Sequence, residues 1–380
     1  MIKTILLLTP VYITLFWSIL LNFKSGSSQA AKRILGKFML ACVVVYLTHF
    51  LFYSHFTKLV CLIEPLYQFA SLSVYPLFYI YFRLLFVEKF FSFRKHGIYL
   101  LLPVIITLLY LSAGLALPAE VFINWLYKVG TTPENTALKF LNVLKVFISV
   151  VFIGQVLFTV IANLRLIIAH RKKARNYYSD LYEIRTLNVV ILNVVLIGCG
   201  FASILLSILG RQYFFSEMMG IAVASIVFST MLFAIGWLGY LQNAVNPTFE
   251  EVQTQPIGFM EVIPVDHRQL LLEKIANLFR IDRIFLNSKL TIQDVAQTVG
   301  TNRTYVSSII NQHYGVNFCT FVNNCRIEEL EHLIKNHPER TNQLLAEGCG
   351  FGSVDSLKRA VHTKTGLSMT EWKANLAIRR

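Results

Sequence analysis

LTIQDVAQTVGTNRTYVSSIINQHYG, residues 290–315, is the stretch that decides how the C-terminal third of this chain folds. Ile292, Val295, Ala296 and Val299 recur at helical spacing and form one buried stripe. Thr291 stands before them as a cap, with Asp294 three residues on in the position of a capping-box partner. Gly300 permits the left-handed turn that stops a helix, and Asn302 caps the next one. In that second helix Val306, Ile309 and Ile310 face inward, which leaves Arg303, Thr304, Ser307, Ser308 and Asn311 on the outward stripe. Two short helices, a glycine turn and a second helix with a hydrogen-bonding face make a helix-turn-helix.

One such pattern is common among helical hairpins, but the chain supplies a second. LLAEGCGFGSVDSLKRAVHTKTG, residues 344–366, repeats the layout. Ala296, Val299 and Gly300 match Ala346, Cys349 and Gly350 at an offset of 50. After one extra residue the offset becomes 51, and Asn302, Val306, Ser308 and Ile310 match Ser353, Leu357, Arg359 and Val361. An internal repeat is a stronger signal than either half. Between the copies, Phe318–Lys335 reads as a connecting helix with Phe321, Val322, Cys325, Leu330, Leu333 and Ile334 apolar. Ahead of them, His267 to Asn287 reads as one amphipathic helix, with Leu271, Ile275, Leu278 and Phe279 on one face.

On these residues the C-terminal part resembles the AraC/XylS family of bacterial regulators. The likeness is carried by L-T-I-x-D-V-A at 290–296, G-T-N-R-T-Y-V-S-S-I-I-N at 300–311, C-R-I-E-E-L at 325–330, C-G-F-G-S at 349–353 and T-G-L-S-M-T-E-W-K at 365–373. It covers roughly residues 267–376. The resemblance implies two helix-turn-helix units joined by a central helix, with reading helices at Asn302–Asn311 and Ser353–Val361 in adjacent major-groove segments. Three positions depart from the family: Val361 and Leu357 stand where aromatics are usual, and Met369 where a proline is usual. These changes predict a thinner core in the second half.

The reading face has its own chemistry. Arg359 can grip guanine O6 and N7 with two hydrogen bonds, worth about 1–3 kcal/mol of discrimination, or it can meet a phosphate. Lys358 suits a phosphate. Asp355 can accept from cytosine N4, but in the first turn after Ser353 it also suits the helix dipole. Ser356 completes the candidate set in the second unit. In the first, Thr304, Ser307, Ser308 and Asn311 are short and weakly specifying, and Arg303 lies where either phosphate or base is in reach.

Upstream the solvent changes. Pro247, Pro256 and Pro264 mark residues 242–265 as a linker. Before it, seven apolar runs are each long enough to cross a bilayer core: Ile5–Phe23, Phe38–Phe56, Leu59–Phe86, Gly97–Leu117, Leu141–Leu164, Leu187–Leu209 and Met218–Leu241. The third carries Glu64 and Arg83 near its two ends, read as interfacial charges. The whole chain is 55% hydrophobic and 15% charged, with a mean hydropathy of +0.56, outside the range of soluble globular domains. The expected fold is all-α: a seven-helix transmembrane bundle over residues 1–241, then a soluble all-helical domain with two helix-turn-helix units over 266–380.

The net charge of +14 is unevenly placed. Residues 1–241 hold 20 Lys/Arg against 7 Asp/Glu, and residues 242–380 hold 15 against 14. The basic excess therefore belongs to the membrane half and says nothing of DNA. It does set direction. The first, third and fifth loops carry 14 cations: Lys24, Lys32, Arg33 and Lys37; Arg83, Lys89, Arg94 and Lys95; Arg165, Arg171, Lys172, Lys173, Arg175 and Arg185. The N-terminus and the even loops carry 6: Lys3, Lys58, Lys128, Lys139, Lys145 and Arg211. The N-terminus is thus expected outside and the C-terminal domain in the cytoplasm. Cleavage at Ser28–Gln29–Ala30 would invert this, and the first apolar run exceeds the roughly 7–15 residues of a signal-peptide core.

Polar groups within the spans are few, among them His49, Gln155, Asn163, Asn188 and Asn193; they read as helix-to-helix contacts or as the lining of a ligand pocket. The last span has no lysine, which rules out a retinal Schiff base there. The basic fifth loop, Ala169 to Arg185 with Tyr177, Tyr178 and Tyr182, reads as a contact with anionic lipid or as a docking surface for the C-terminal domain. The six cysteines show no C-x2-C pair and no histidine spacing that completes a zinc site; they read as free, buried thiols. No nucleophile–base pair, phosphate loop or metal set stands out, so neither enzymatic activity nor a cofactor is expected.

The expectation is a one-component regulator in the bacterial inner membrane, multi-pass, sensing a signal or simply held there. Its expected partners are double-stranded promoter DNA, the lipid bilayer and RNA polymerase; a homodimer and an unidentified small-molecule or protein signal stay open. The competing readings are a seven-helix receptor or transporter whose helical tail binds protein, and an anchor without sensing.

Overall fold

The computed structural model describes residues 2–23, 30–88, 90–127, 135–179, 186–209, 218–242 and 265–378. Lys24, Lys89, Lys128, Arg185 and Arg211 of the charge topology, Ser28 and Gln29, Tyr182, and the linker prolines Pro247, Pro256 and Pro264 lie outside them. The fold is all-α, and the described residues divide into two compact units. One comprises Met1–Ile167 with Thr186–Phe249, the other Ile168–Arg185 with Glu250–Arg380.

The first unit is built from α1 (Ile2–Phe23), α2 (Ala30–Tyr53), α3 (Thr57–Phe86), α4 (Phe93–His96), α5 (Ile98–Leu115), α6 (Ala119–Tyr127), the first part of α7 (Thr136–Tyr177), α8 (Thr186–Leu209) and α9 (Met218–Leu241). Seven of these helices are long and apolar enough to cross a membrane, which suggests a membrane protein. The two short helices α4 and α6 were not visible as periodic runs; each is too short for a span and links two of them.

Packing explains the order. α1 lies against α2 and α9, α2 against α3, α3 against α5, and α8 against α9. The main core gathers Trp17, Leu35, Phe38, Phe78, Tyr81 and Ile235. Close approach of α9 depends on its small residues: a Cβ on Gly236 would stand 2.3 Å from the Trp17 ring, and one on Gly239 2.1 Å from a Leu35 methyl. Outward faces stay apolar, with Leu101, Ile105 and Leu108 on α5 and Val143, Val146 and Val150 on α7 exposed. That is the pattern of helices whose solvent is hydrocarbon. Of the polar groups, Asn163 Nδ2 donates to Asn193 Oδ1 at 3.4 Å across α7 and α8.

The two charges of α3 differ in setting. Arg83 pairs with Glu88 and donates to the Tyr99 hydroxyl at 2.6 Å, while buried His96 Nε2 stands 2.8 Å from Glu88. Glu64, by contrast, is buried within the bundle at 1% exposure. Its Oε1 accepts from Gln68 Nε2 at 3.0 Å.

α7 corrects the fifth loop. Helix continues through the basic residues Arg171, Lys172, Lys173 and Arg175 to Tyr177, because straight-chain Lys and Arg are good helix formers. Its 42 residues span about 63 Å at the helical rise, twice a hydrocarbon core of about 30 Å. Residues from Ile168 onward belong to the second unit.

The second unit adds α10 (Val265–Arg280), α11 (Ile292–Val299), α12 (Arg303–Tyr314), α13 (Phe318–Asn336), α14 (Asn342–Gly348), α15 (Val354–Thr365) and α16 (Met369–Ile378). The single helix expected over His267–Asn287 ends instead at Arg280. Arg283 adopts a left-handed conformation (φ 51°), and Ile284–Leu286 form a 3-10 turn that buries Phe285.

Candidate DNA-binding interface

The first half is assembled by local rules. Thr291 Oγ1 accepts from Asp294 N at 3.3 Å, and Asp294 Oδ2 accepts from Thr291 N at 2.8 Å, a complete capping box at the start of α11. Gly300 ends α11 at φ 75°. Asn302 Oδ1 then accepts from Tyr305 N at 3.0 Å and starts α12. Ile292, Val295, Ala296, Val299, Val306, Ile309 and Ile310 are all buried in one core, joined by Phe279 and Phe285 before them and Phe318, Phe321 and Val322 after.

The second half repeats this. Thr341 caps α14, Gly350 turns the chain at φ 77°, and Ser353 Oγ accepts from Ser356 N at 3.1 Å at the start of α15. Leu357 and Val361 are fully buried despite their smaller size. The thinner core expected here does not result, because Phe351, Met369 and Trp372 close around them with Leu345 and Cys349. Burial pushes the Cys349 thiol up to about 12, as befits a small apolar side chain with no nucleophilic role.

α13 contributes to both cores. Phe318, Phe321 and Val322 lie in the first, and Ile327, Leu330 and Ile334 in the second. Between them stands Arg326, at 0% exposure among the largest fully buried side chains. Its Nε donates to Phe285 O at 2.8 Å. Its Nη2 donates to Asn287 O at 2.8 Å and to Ser179 Oγ at 3.1 Å. Its Nη1 donates to Ser179 O at 3.4 Å. The guanidinium carbon also sits 5.6 Å from the Phe351 ring centroid. One side chain therefore ties the 3-10 turn of the first half to the second half's core. The turn at Gly350 lies at the same seam: a Cβ there would meet Leu286 O at 2.5 Å.

Ser179 brings in the end of α7. Ser179 N donates to Leu290 O at 3.1 Å, and Tyr178 forms an isolated antiparallel bridge with Thr291, the cap of α11. Cys319 Sγ approaches Ser179 O at 3.4 Å, and Tyr177 packs on the first-half core. Of the two readings of the basic segment, docking on the C-terminal helices is the one its described end adopts.

The sequence-derived reading residues sit as follows. On α12, Thr304 and Asn311 are exposed, while Arg303, Ser307 and Ser308 are half-buried. Asn311 Nδ2 donates to Ser307 Oγ at 3.3 Å. On α15, Asp355, Lys358 and Arg359 are exposed, and Arg359 Nε donates to its own helix at Asp355 O, 3.1 Å away. Ser356 departs from the set. It is 7% exposed and its hydroxyl faces Ser353 Oγ at 3.3 Å, so it serves the cap and lies off the outward face. Sequence reasoning missed Arg326 and Ser179. Arg326 had one signal, a charge in the apolar stripe Val322, Arg326, Leu330; Ser179 had none.

No group of three or more metal-ligating side chains forms among the described residues. No curated protein and no solved structure matches the chain. Residues 295–375, which run from within α11 to within α16, match the family model described as a helix-turn-helix domain.

Proposed function

We propose that this protein is a membrane-embedded one-component transcriptional regulator, with its C-terminal domain in the cytoplasm and its seven-helix unit in the bacterial inner membrane. The exposed faces of α12 and α15 bind promoter DNA in adjacent major-groove segments. Arg303, Thr304, Ser307, Ser308 and Asn311 supply the first reading surface, and Asp355, Lys358 and Arg359 the second. RNA polymerase and a second copy of the chain are the further partners of such a regulator. The chain acts by binding and carries out no chemistry.

Support for coupling comes above all from one observation: just past the end of α7, a helix that begins among the spans, Ser179 hydrogen-bonds Leu290 and Tyr178 bridges Thr291, the cap of α11. A displacement of that end acts directly on the residues that start the first helix-turn-helix. The charge topology supports the direction, since 14 of the 20 Lys/Arg before residue 242 fall at or beside the first, third and fifth connections between the apolar runs.

The test is promoter binding by the full-length protein in nanodiscs at several salt concentrations. With few cations on the reading faces, non-specific affinity is expected to be low, and log affinity to fall linearly with log salt, by about 0.9 per phosphate neutralised. Lys358→Ala is expected to lower that slope by about one while leaving sequence preference intact. Absence of binding to any promoter fragment at low salt would overturn the regulator reading in favour of a receptor or transporter with a protein-binding tail.

A further inference from the structure

The first unit holds a partly open cavity of about 540 Å³ between its helices, within the range of about 300–1,000 Å³ typical of small-molecule sites. Its charged lining is sparse: among the described residues that line it, Glu64 and Lys145 alone are Lys, Arg, Asp or Glu. They differ in setting. Glu64 is buried, whereas Lys145 is exposed. Aromatic rings crowd the same wall. His49 stands edge-on to Tyr67, centroids 5.4 Å apart, and stacks on Tyr53 at 6.3 Å; all three rings line the cavity. On α6 and α7, Trp125 Nε1 donates to Asn142 Oδ1 at 2.9 Å, and both residues also line it. The rest is apolar for the most part, with Leu7, Leu72 and Phe152 among the lining side chains.

A carboxylate that lines a cavity inside a protein attracts positive charge. An ionisable side chain inside a membrane bundle that faces a cavity marks a ligand or ion path. Aromatic faces beside it attract the same sign of charge, because the ring quadrupole favours a cation over its face. The volume is far larger than a metal ion or proton relay needs, and the apolar remainder asks for a hydrocarbon body. We propose that this cavity binds a small organic cation with an apolar body, its ammonium group on Glu64 and its hydrocarbon part among the rings and aliphatic side chains. This deepens the sensing part of the regulator reading and rests on it only for the consequence of binding, not for binding itself.

The proposal is tested on the full-length protein in nanodiscs, without DNA, by the change in tryptophan fluorescence and melting temperature with four ligands of one aromatic body: 2-phenylethylamine, phenylalanine, phenylacetate and 2-phenylethanol. The amine is expected to bind with saturation and the other three at least about tenfold more weakly, the difference expected of a charge-assisted hydrogen bond. Glu64→Gln is expected to erase the amine's advantage. Lys145→Gln, which removes a like charge from the lining, is expected to tighten the amine several-fold, whereas a zwitterion-binding site would lose affinity for phenylalanine. If Glu64→Gln does not fold, as judged by helical circular dichroism and gel filtration, the Lys145→Gln arm decides. Equal binding of amine and alcohol, preference for the acid or the zwitterion, or no saturable binding of the amine overturns the proposal. Amine binding in a protein that binds no promoter DNA would fault the regulator reading and leave the cavity assignment standing.

Discussion

Arg326 sits where an apolar stripe should continue, four residues after Val322 and four before Leu330. Its guanidinium reaches four oxygens from three separated residues, Phe285, Asn287 and Ser179. Only a planar fork with five donors can serve so many acceptors at once. Arg326→Met keeps the volume but leaves those oxygens without their donor, an expected loss of about 3 kcal/mol. Hydrogen exchange at residues 284–291 and 349–351 reads it, and unchanged protection there would remove Arg326 from this role. Arg326→Lys is not expected to rescue, since one ammonium cannot span the set. At the surface, Arg359 has the opposite character: exposed, and held only by a bond to its own helix. Arg359→Ala is expected to abolish site preference, a loss of about 1–3 kcal/mol of discrimination between promoter and scrambled DNA, with membrane insertion intact. A mutant that still prefers the wild-type site in a competition footprint would show that Arg359 reads no base.

α7 runs from the apolar first unit into the second. Its residues from Ile168 to Tyr177 read as basic, but helix periodicity there carries no apolar stripe, so the sequence alone reads them as loop. Ser179 matters through its backbone, and no side-chain pattern announces a backbone donor. Ser179→Pro removes the N–H that Leu290 O accepts. Faster exchange at the start of α11 is the expected result, with α14 and α15 unaffected; uniform protection would sever the proposed route. An alanine inserted in α7 after Arg165 turns everything beyond it by about 100°. Promoter output is then expected to stop responding to the membrane unit while insertion and expression stay normal. α11 to α15, in contrast, were legible almost to the residue, because each begins at a Thr, Asn or Ser cap and the turns at Gly300 and Gly350 are left-handed.

At the scale of the molecule, seven apolar helices and a helix-turn-helix domain stand in one chain. The first unit is held by close approach as much as by apolar surface. Gly236→Leu would drive a side chain into the Trp17 ring, and the expected outcome is a bundle that inserts but melts lower and aggregates on detergent extraction. A melting temperature equal to wild type would show that α1 and α9 tolerate separation. The bundle lines its cavity with residues from eight of its helices, α1, α2, α3, α5, α6, α7, α8 and α9, and nothing in the linear order of His49, Glu64 and Lys145 foretells that they share it.

The sequence by itself determined the helical class, the seven apolar runs, the turn and cap residues and the family likeness of residues 267–376, because these follow from periodicity, propensity and composition within about twenty residues. It also placed an expectation of direction on the chain through Lys/Arg counts. Only the tertiary structure decided that Ser356 is a cap partner off the reading face, that Glu64 is buried against a cavity, that Arg326 joins two cores, and that the end of α7 belongs with the second unit. All but the first of those facts depend on groups far apart in sequence meeting in space, 147 residues apart for Ser179 and Arg326. Their energies come from desolvation and hydrogen-bond geometry, which no local pattern records.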